Sequence, residues 1–303
     1  MGISGLVAAV HSPFAADSGE LNADAVSAQL ELMIRQRVAG VFVCGSTGES
    51  HSLSVEERQQ LAEEWLRQAK GTPLQVIIHV GGNCLRDSER LSAHAARHGA
   101  AAISAQAPSY YKPGSVDDLI RWCSTVAASA PDTPFYFYDI PSMTGVSLSM
   151  PEFLERAGES VPTLTGLKFT NPDLMSFQLC QRAAGGKYDI AFGVDEMLLA
   201  ALAMGAVGAV GSTYNFAAPI YHRLTEAWKQ GDLETARKEQ FRSVQLIRLL
   251  ASRGYVAAAR EVMEFLGAPV GPARQPHRVL TPRQSSELRA ELEALGFFDW
   301  ITD

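Results

Sequence analysis

The sequence predicts an α/β protein, a (β/α)₈ TIM barrel with a helical appendage at its C-terminus. Eight short apolar runs alternate with segments of helical periodicity over about 230 residues. Each run is nearly continuous in apolar character, which is typical of parallel strands covered on both faces. This regular alternation of strand and helix favours a parallel sheet that closes on itself.

The eight predicted strands follow one another at regular intervals. They are Gly5–Val10, Gly40–Cys44, Gln75–Val80, Ala101–Gln106, Pro134–Ile140, Leu164–Phe169, Asp189–Gly193 and Ala206–Val210. An open, doubly wound sheet is the alternative architecture. The number of repeats favours the barrel, and so does the absence of a G-x-G-x-x-G motif after the first strand.

The segments between the strands have the spacing of amphipathic helices. In residues 55–70, for example, the apolar side chains fall on one face and the acidic ones elsewhere. Ser54 and Glu57 predict a capping box for this helix, and Asp117 and Asp195 are candidate caps of later helices. After Ala217 the pattern is helical only, with predicted helices at Pro219–Gln230, Leu233–Ser252, Tyr255–Leu266 and Pro282–Leu295.

No linker rich in Pro, Gly or Ser separates these last helices from the barrel. We therefore expect a single domain over residues 1–303, with the barrel in residues 1–230 and a C-terminal helical extension in residues 231–303.

The composition excludes several classes of function. The chain has 303 residues, of which 47% are hydrophobic and 19% charged, so it is globular rather than disordered. Its net charge of -7 argues against nucleic acid as the main partner. The four cysteines form no C-x-x-C pair, and no run has the length of a signal peptide or a membrane span. A cytoplasmic protein without a membrane partner is expected.

Lys168 is the most informative residue at the predicted active-site face. Active sites of such barrels lie at the carboxyl ends of the strands, and Lys168 follows the apolar residues of the sixth strand. A buried lysine has a lowered pKa, and its free amine can attack a ketone to form an imine. The alternative is a structural lysine that pairs with a carboxylate such as Asp195.

Other polar residues at the strand ends could assist such chemistry. Tyr138 ends the neighbouring strand and could shuttle protons, although a packed tyrosine is equally compatible with this position. Ser46 and Thr47 lie in a glycine turn after the second strand and could bind a carboxylate. His79 is interpreted as a hydrogen-bonded core residue, and we expect no metal site and no cofactor.

Several motifs, in this order, resemble the superfamily of N-acetylneuraminate lyases and dihydrodipicolinate synthases. The resemblance covers essentially the whole chain. The motifs are GSTGES at 45–50, YDIPSMTG at 138–145, GLKFTNPDL at 166–174, FGVDE at 192–196 and GAVGSTYN at 208–215.

The resemblance implies a homotetramer and a role for each matching residue. Lys168 would form the Schiff base with a 2-keto acid, and Tyr138 would shuttle protons. Ser46 and Thr47 would hold the substrate carboxylate. Tyr110 matches a tyrosine that completes the site of a neighbouring subunit.

Within the superfamily the resemblance favours the lyases. Met143 stands where the synthases carry an arginine that binds a second carboxylate, and it is neutral like the leucine of the lyases. The residues that match the sugar-binding set of the lyases are Thr170, Gly193, Asp195, Glu196 and Ser212. Asp139 stands where relatives often have Asn.

The predicted activity is therefore the reversible cleavage of N-acetylneuraminate to N-acetylmannosamine and pyruvate without a cofactor. The same-class alternatives are an aldolase for 2-keto-3-deoxy sugar acids and a dihydrodipicolinate-type synthase. A protein that binds keto acids without catalysis is the alternative from a different class.

Overall fold

A computed structural model describes residues 2–302. It contains a closed barrel of eight parallel strands in chain order, in which β8 pairs with β1. The strands are β1 (Gly5–Ala9), β2 (Gly40–Val43), β3 (Gln75–His79), β4 (Ala102–Gln106), β5 (Phe135–Asp139), β6 (Leu164–Phe169), β7 (Asp189–Phe192) and β8 (Gly208–Gly211). The predicted barrel is confirmed, and the largest error in a strand bound is two residues, at the start of β8.

Helices surround the barrel and continue beyond it. They are α1 (Val26–Arg35), α2 (Val55–Gln68), α3 (Leu85–Arg97), α4 (Val116–Ala128), α5 (Pro141–Thr144), α6 (Met150–Ala157), α7 (Leu174–Arg182), α8 (Leu198–Ala203), α9 (Tyr214–Lys229), α10 (Leu233–Ser252), α11 (Tyr255–Phe265), α12 (Pro282–Leu295) and α13 (Phe297–Trp300). None of them combines the length and apolar character needed to cross a membrane.

The predicted start of α9 at Pro219 was wrong. The helix begins five residues earlier, at Tyr214, and Pro219 lies inside it. The backbone of Ala217 leaves the helical region, with φ at −131°. This kink accommodates the proline ring, which would otherwise clash with the preceding turn.

Two apolar cores position the site. The larger one fills the space between the strands and the surrounding helices. The smaller one fills the barrel interior with inward-pointing residues such as Phe42, Ile77 and Tyr136. Gly166 allows the close approach of β6 to β7, because a Cβ atom there would lie 1.7 Å from the carbonyl oxygen of Asp189.

The predicted capping box at the start of α2 is confirmed by reciprocal hydrogen bonds between Ser54 and Glu57. The predicted cap at Asp117 was wrong. Ser115 caps α4 instead, and Asp117 pairs with Arg156 of α6. A serine hydroxyl two positions earlier satisfies the same free backbone N–H groups.

The C-terminal helices pack back onto the barrel. Helix α10 has its most extensive contact with α9, and α11 contacts both α9 and α10. Tyr255 at the start of α11 and Ile247 of α10 reach the carboxyl end of the barrel. These helices therefore contribute to the site and do not form a separate unit.

Candidate active site

A cavity of about 300 Å³ opens at the carboxyl ends of the strands. It collects side chains from β5, β6 and β8, from the loops that follow the strands, and from α10 and α11. Of the ten predicted site residues, the cavity wall includes nine: Ser46, Thr47, Tyr138, Lys168, Thr170, Gly193, Asp195, Glu196 and Ser212. Residues distant in sequence thus meet at the end of the barrel where active sites lie.

Lys168 is buried among aromatic rings. It lies opposite Tyr138 in the register of β5 and β6, and its Nζ lies 4.0 Å from the ring centroids of Phe42 and Tyr138. Within residues 2–302 it forms no salt bridge with a carboxylate. Burial lowers the pKa of Lys168 to about 7, although the negative charge of Asp195 opposes this. A large fraction of the amine is therefore free at neutral pH.

Tyr138 is held beside the amine by packing and one hydrogen bond. Its ring forms edge contacts with Phe42 and His79, at centroid distances of 5.7 and 5.9 Å. Its hydroxyl lies 3.3 Å from Ser46 Oγ, and either group can donate. Burial raises the pKa of Tyr138 to about 12, so the phenol is protonated in the resting site. His79 Nδ1 donates a hydrogen bond to the carbonyl oxygen of Cys44 at 2.9 Å, as predicted for a hydrogen-bonded core residue.

The turn that carries Ser46 and Thr47 has an unusual backbone. Cys44 and Glu49, on either side of it, have left-handed φ angles of 59° and 53°. Such angles cost energy in non-glycine residues and persist only where surrounding contacts enforce them. One such contact is the hydrogen bond from Ser12 Oγ to the carbonyl oxygen of Gly48, at 2.6 Å.

A buried ion pair ties this turn to the C-terminal helices. The guanidinium of Arg260 in α11 donates to the Glu49 carboxylate and to the carbonyl oxygens of Ser12 and Val270. The backbone N–H of Arg274 donates to the other oxygen of Glu49 at 2.9 Å. Both charged groups are thus desolvated but well hydrogen-bonded, which is the arrangement that buried charges require.

Asp195 points into the cavity and does not cap a helix, so that prediction was wrong. Its Oδ2 accepts hydrogen bonds from the N–H and the hydroxyl of Thr213, at 2.9 and 2.5 Å. The other oxygen, Oδ1, has no hydrogen-bond partner within residues 2–302. Burial raises the pKa of Asp195 to about 6. This oxygen is a buried acceptor beside the cavity, 1.8 Å from the place that a Cβ atom of Gly211 would take.

The neighbouring wall offers further hydrogen-bonding groups. Thr170 Oγ1 is buried and interacts with the Tyr138 hydroxyl, which helps to limit the rise in the pKa of Tyr138. It lies against Gly193, where a Cβ atom would be 2.0 Å from that hydroxyl. Ser212 Oγ lies 2.5 Å from the hydroxyl of Tyr255. Together with Glu196, these groups form a polar surface suited to a ligand rich in hydroxyls.

Two residues near the cavity bear on specificity. Met143 is 66% exposed and lines the cavity, with no positive charge at that position. Asp139 is buried, accepts from Asn171 Nδ2 at 3.3 Å, and does not belong to the cavity wall. Burial raises the pKa of Asp139 to about 6. Among residues 2–302, Lys168 is the only lysine or arginine that lines this cavity.

Tyr110 is the one predicted site residue that lies outside the cavity. It is 76% exposed and stacks edge-on against Tyr111, at a centroid distance of 5.0 Å. Three hydrogen bonds from Ser109 and Tyr110 to Asn83 Oδ1 hold this loop. The ring therefore projects from the surface of its own chain.

The sequence analysis missed His11 and Tyr255. His11 follows β1. The search for polar residues covered the ends of the other seven strands, and the same search at the end of β1 would have found His11. Tyr255 comes from α11, outside the barrel, and no pattern in the sequence places it beside Ser212. Ile247 and Val256 complete the apolar part of this side.

Comparisons with known proteins agree with this geometry. The dihydrodipicolinate synthetase family model matches residues 2–295. An N-acetylneuraminate lyase of Rattus norvegicus is 39% identical over 98% of this chain and 94% of its own length. Among solved structures, an N-acetylneuraminate lyase of Proteus mirabilis is 43% identical, covers 98% of this chain and 100% of its own, and has a TM-score of 0.95. One of Aliivibrio salmonicida, also called a sialic acid aldolase, is 40% identical with 98% of each chain covered and a TM-score of 0.95.

Proposed function

The chain belongs to the dihydrodipicolinate synthetase family, and from that premise we propose that it is a class I aldolase that cleaves N-acetylneuraminate to N-acetylmannosamine and pyruvate. The observation that carries the proposal is Lys168, a buried amine without a carboxylate partner in the described chain, directed into a cavity with a polar wall. The names of the relatives identify the sugar. The reaction is reversible and needs no cofactor.

The first step is imine formation at Lys168. The free amine attacks the C2 carbonyl of the open-chain sugar acid, and water leaves to give a protonated imine. Ser46 and Thr47 bind the substrate carboxylate through their hydroxyls and the backbone N–H groups of the turn. Fixing this end of the substrate holds C2 within reach of the amine.

The second step breaks the bond between C3 and C4. Tyr138 accepts the proton of the C4 hydroxyl while its own proton passes through Ser46, its hydrogen-bond partner, to the substrate carboxylate that Ser46 binds. The electrons of the C3–C4 bond move into the imine, which becomes a neutral enamine, and the aldehyde N-acetylmannosamine leaves. The proton then returns to C3, and one water hydrolyses the imine to pyruvate and free Lys168.

The sugar portion is bound by the polar wall opposite the turn. Asp195 Oδ1 is a buried acceptor without a hydrogen-bond partner among residues 2–302, and a substrate hydroxyl would satisfy it. The buried hydroxyl of Thr170 interacts with Tyr138 and could also bind the substrate. Glu196 and Ser212 extend the same surface, and Gly193 leaves the space that the Thr170 side chain occupies.

The alternative activities fit less well. A dihydrodipicolinate-type synthase needs a cation for a second carboxylate, and Met143 supplies none. A shorter 2-keto-3-deoxy sugar acid would leave part of the polar wall unpaired. A non-catalytic keto-acid binder would have no need for an amine with a pKa near 7.

We further propose that the protein is a cytoplasmic homotetramer in which Tyr110 completes the site of a neighbouring subunit. The exposed pair Tyr110 and Tyr111 supports a contact with another copy, since aromatic side chains are enriched at interfaces. All four cysteines are free, which suits a reducing compartment. Sedimentation analysis of the wild type and of Tyr111→Ser tests the assembly, and a monomeric wild type would refute it.

Borohydride trapping tests the activity. Incubation with N-acetylneuraminate and borohydride should leave a pyruvate-sized adduct on the wild type, as read by intact mass. Lys168→Ala should carry none, whereas the control Lys187→Ala changes an exposed lysine outside the site and should be labelled normally. An adduct of the whole sugar would indicate imine formation without cleavage. Labelling of Lys168→Ala at the wild-type level would refute the assignment of the nucleophile.

A further inference from the structure

His11 is a buried imidazole in the cavity wall to which the proposed mechanism gives no role. It is 1% exposed and follows the carboxyl end of β1. Neither ring nitrogen has a hydrogen-bond partner within residues 2–302. Buried polar atoms in folded proteins are nearly always paired, so two unpaired nitrogens on a residue that lines a cavity indicate a partner supplied by the ligand.

The position of His11 relates it to the sugar-binding side. Strands β1 and β8 are paired with Ala8 opposite Gly211, so His11 and Ser212 both follow the ends of two neighbouring strands. Both residues line the cavity, as does Tyr255, the partner of Ser212. Because β1 also pairs with β2, His11 lies between Ser212 and the Ser46–Thr47 turn and continues the polar wall from the one towards the other.

The charge state of His11 restricts what it can bind. Burial, and next the positive charge of Arg260, lower the pKa of His11 to about 3, so the ring is neutral at physiological pH. A neutral imidazole offers one donor and one acceptor, which matches a hydroxyl group. A carboxylate requires donors only and is already served by the Ser46–Thr47 turn.

We propose that His11 binds a hydroxyl of the polyol chain of the substrate and thereby contributes to the selection of long sugar acids. This inference rests on the proposed lyase activity and adds a specificity residue to it. Imine formation with pyruvate alone, which has no polyol chain, should not depend on His11.

The test compares two reactions in two variants. In His11→Leu, kcat/KM for cleavage of N-acetylneuraminate should fall about tenfold, through a higher KM, because the substrate hydroxyl loses its partner. Trapping of pyruvate with borohydride should keep its wild-type concentration dependence. His11→Gln retains a donor and an acceptor and should recover part of the loss.

The outcomes separate this inference from the proposed function. Wild-type cleavage together with unchanged kcat/KM in His11→Leu would overturn the role of His11 alone. A parallel loss of pyruvate trapping would also overturn it, because His11 would then act on the keto-acid end or on the fold. Failure of the wild type to cleave the sugar would instead refute the proposed function.

A second, independent observation concerns the surface between α2 and α3. Glu63 Oε1 lies 2.7 Å from His94 Nε2 and 3.7 Å from His98 Nε2, and the two imidazole rings stack at 4.4 Å. The three ligand atoms lie within 4.8 Å of one another. The sequence analysis expected no metal site and overlooked that His94 and His98 are four residues apart, a spacing that places both on one side of a helix. The longer distance exceeds a hydrogen bond, yet it is close to the roughly 3.3 Å edge of a tetrahedral zinc site.

The geometry points to a binding site for a divalent transition metal such as zinc, with water as the fourth ligand. Imidazole nitrogens and a carboxylate oxygen form a donor set that zinc accepts. Glu63 and His98 have half-exposed side chains, so an ion can enter. A bound ion would connect α2 to α3 through residues that do not line the cavity.

Calorimetric titration of zinc into metal-free, untagged protein tests this site. The wild type should bind one ion per chain, and His98→Gln and Glu63→Gln should each weaken binding at least about tenfold. His277→Gln removes another exposed histidine and should bind as the wild type does. Cobalt should give the visible absorption of a tetrahedral ion only where His98 is present. Equal binding by His98→Gln, or no binding by the wild type, would overturn the proposal.

Discussion

The two ends of the barrel differ in whether their polar side chains have hydrogen-bond partners. At the amino end, Asp189 accepts hydrogen bonds from the N–H of Ile3 at 2.5 Å and from the Tyr136 hydroxyl at 2.8 Å. At the carboxyl end, one oxygen of Asp195 and both nitrogens of His11 have no partner among residues 2–302. Lys168 at that end has aromatic neighbours instead of a counter-ion.

The hydrogen-bonded groups at the amino end stabilise the fold, whereas the unpaired groups at the carboxyl end are available to bind a ligand. A paired buried carboxylate helps to close the barrel, whereas an unpaired one costs free energy of folding. Proteins retain such costs mainly where function requires them. The contrast therefore predicts opposite effects of substitution at the two ends.

The largest effect is expected for Lys168→Met. Activity should fall by at least about a thousandfold, because the thioether cannot form an imine. The Tm should rise by at least about 2 °C, because an apolar chain of similar length replaces a desolvated amine. Steady-state kinetics and calorimetry check the two effects. A lower Tm in this variant would contradict the inference that the buried amine destabilises the folded protein.

The next effect is the pH dependence of imine formation. The pKa of Lys168 is about 7, and only the free amine, present above that value, attacks the ketone. The rate of pyruvate trapping should therefore fall about tenfold for each pH unit below 7. Rapid-quench trapping between pH 5 and 9 gives the profile. A midpoint near the usual lysine value would show that burial does not lower this pKa.

The smallest effect on activity is expected at the amino end. Asp189→Ala should reduce the free energy of unfolding by about 1–3 kcal/mol, since the Tyr136 hydroxyl and the N–H of Ile3 lose their acceptor. The kcat/KM of this variant should stay within about twofold of the wild type. Urea denaturation gives the stability, and Tyr136→Phe is a milder control. A large loss of activity would mean that the two ends are coupled.

The barrel could be predicted from the sequence because a buried parallel strand is a short continuous apolar run. Such a run can be recognised without knowing which parts of the chain pack against it. Lys168 and Tyr138 were predicted for the same reason, since each lies near the carboxyl end of such a strand. Tyr255 could not be predicted, because its place beside Ser212 depends on how α11 packs over the barrel. The free oxygen of Asp195 likewise depends on Thr213, eighteen residues later in the chain.

The ion pair between Glu49 and Arg260 has a consequence for engineering by segment exchange. The barrel supplies the amine and the carboxylate turn, while α10 and α11 supply part of the wall that faces the sugar. Swapping these helices between homologues is thus a route to altered substrate range with the bond-breaking machinery left in place. Any transplanted segment must carry the arginine and the backbone that meets Glu49, because the same helix that shapes the wall also anchors the turn.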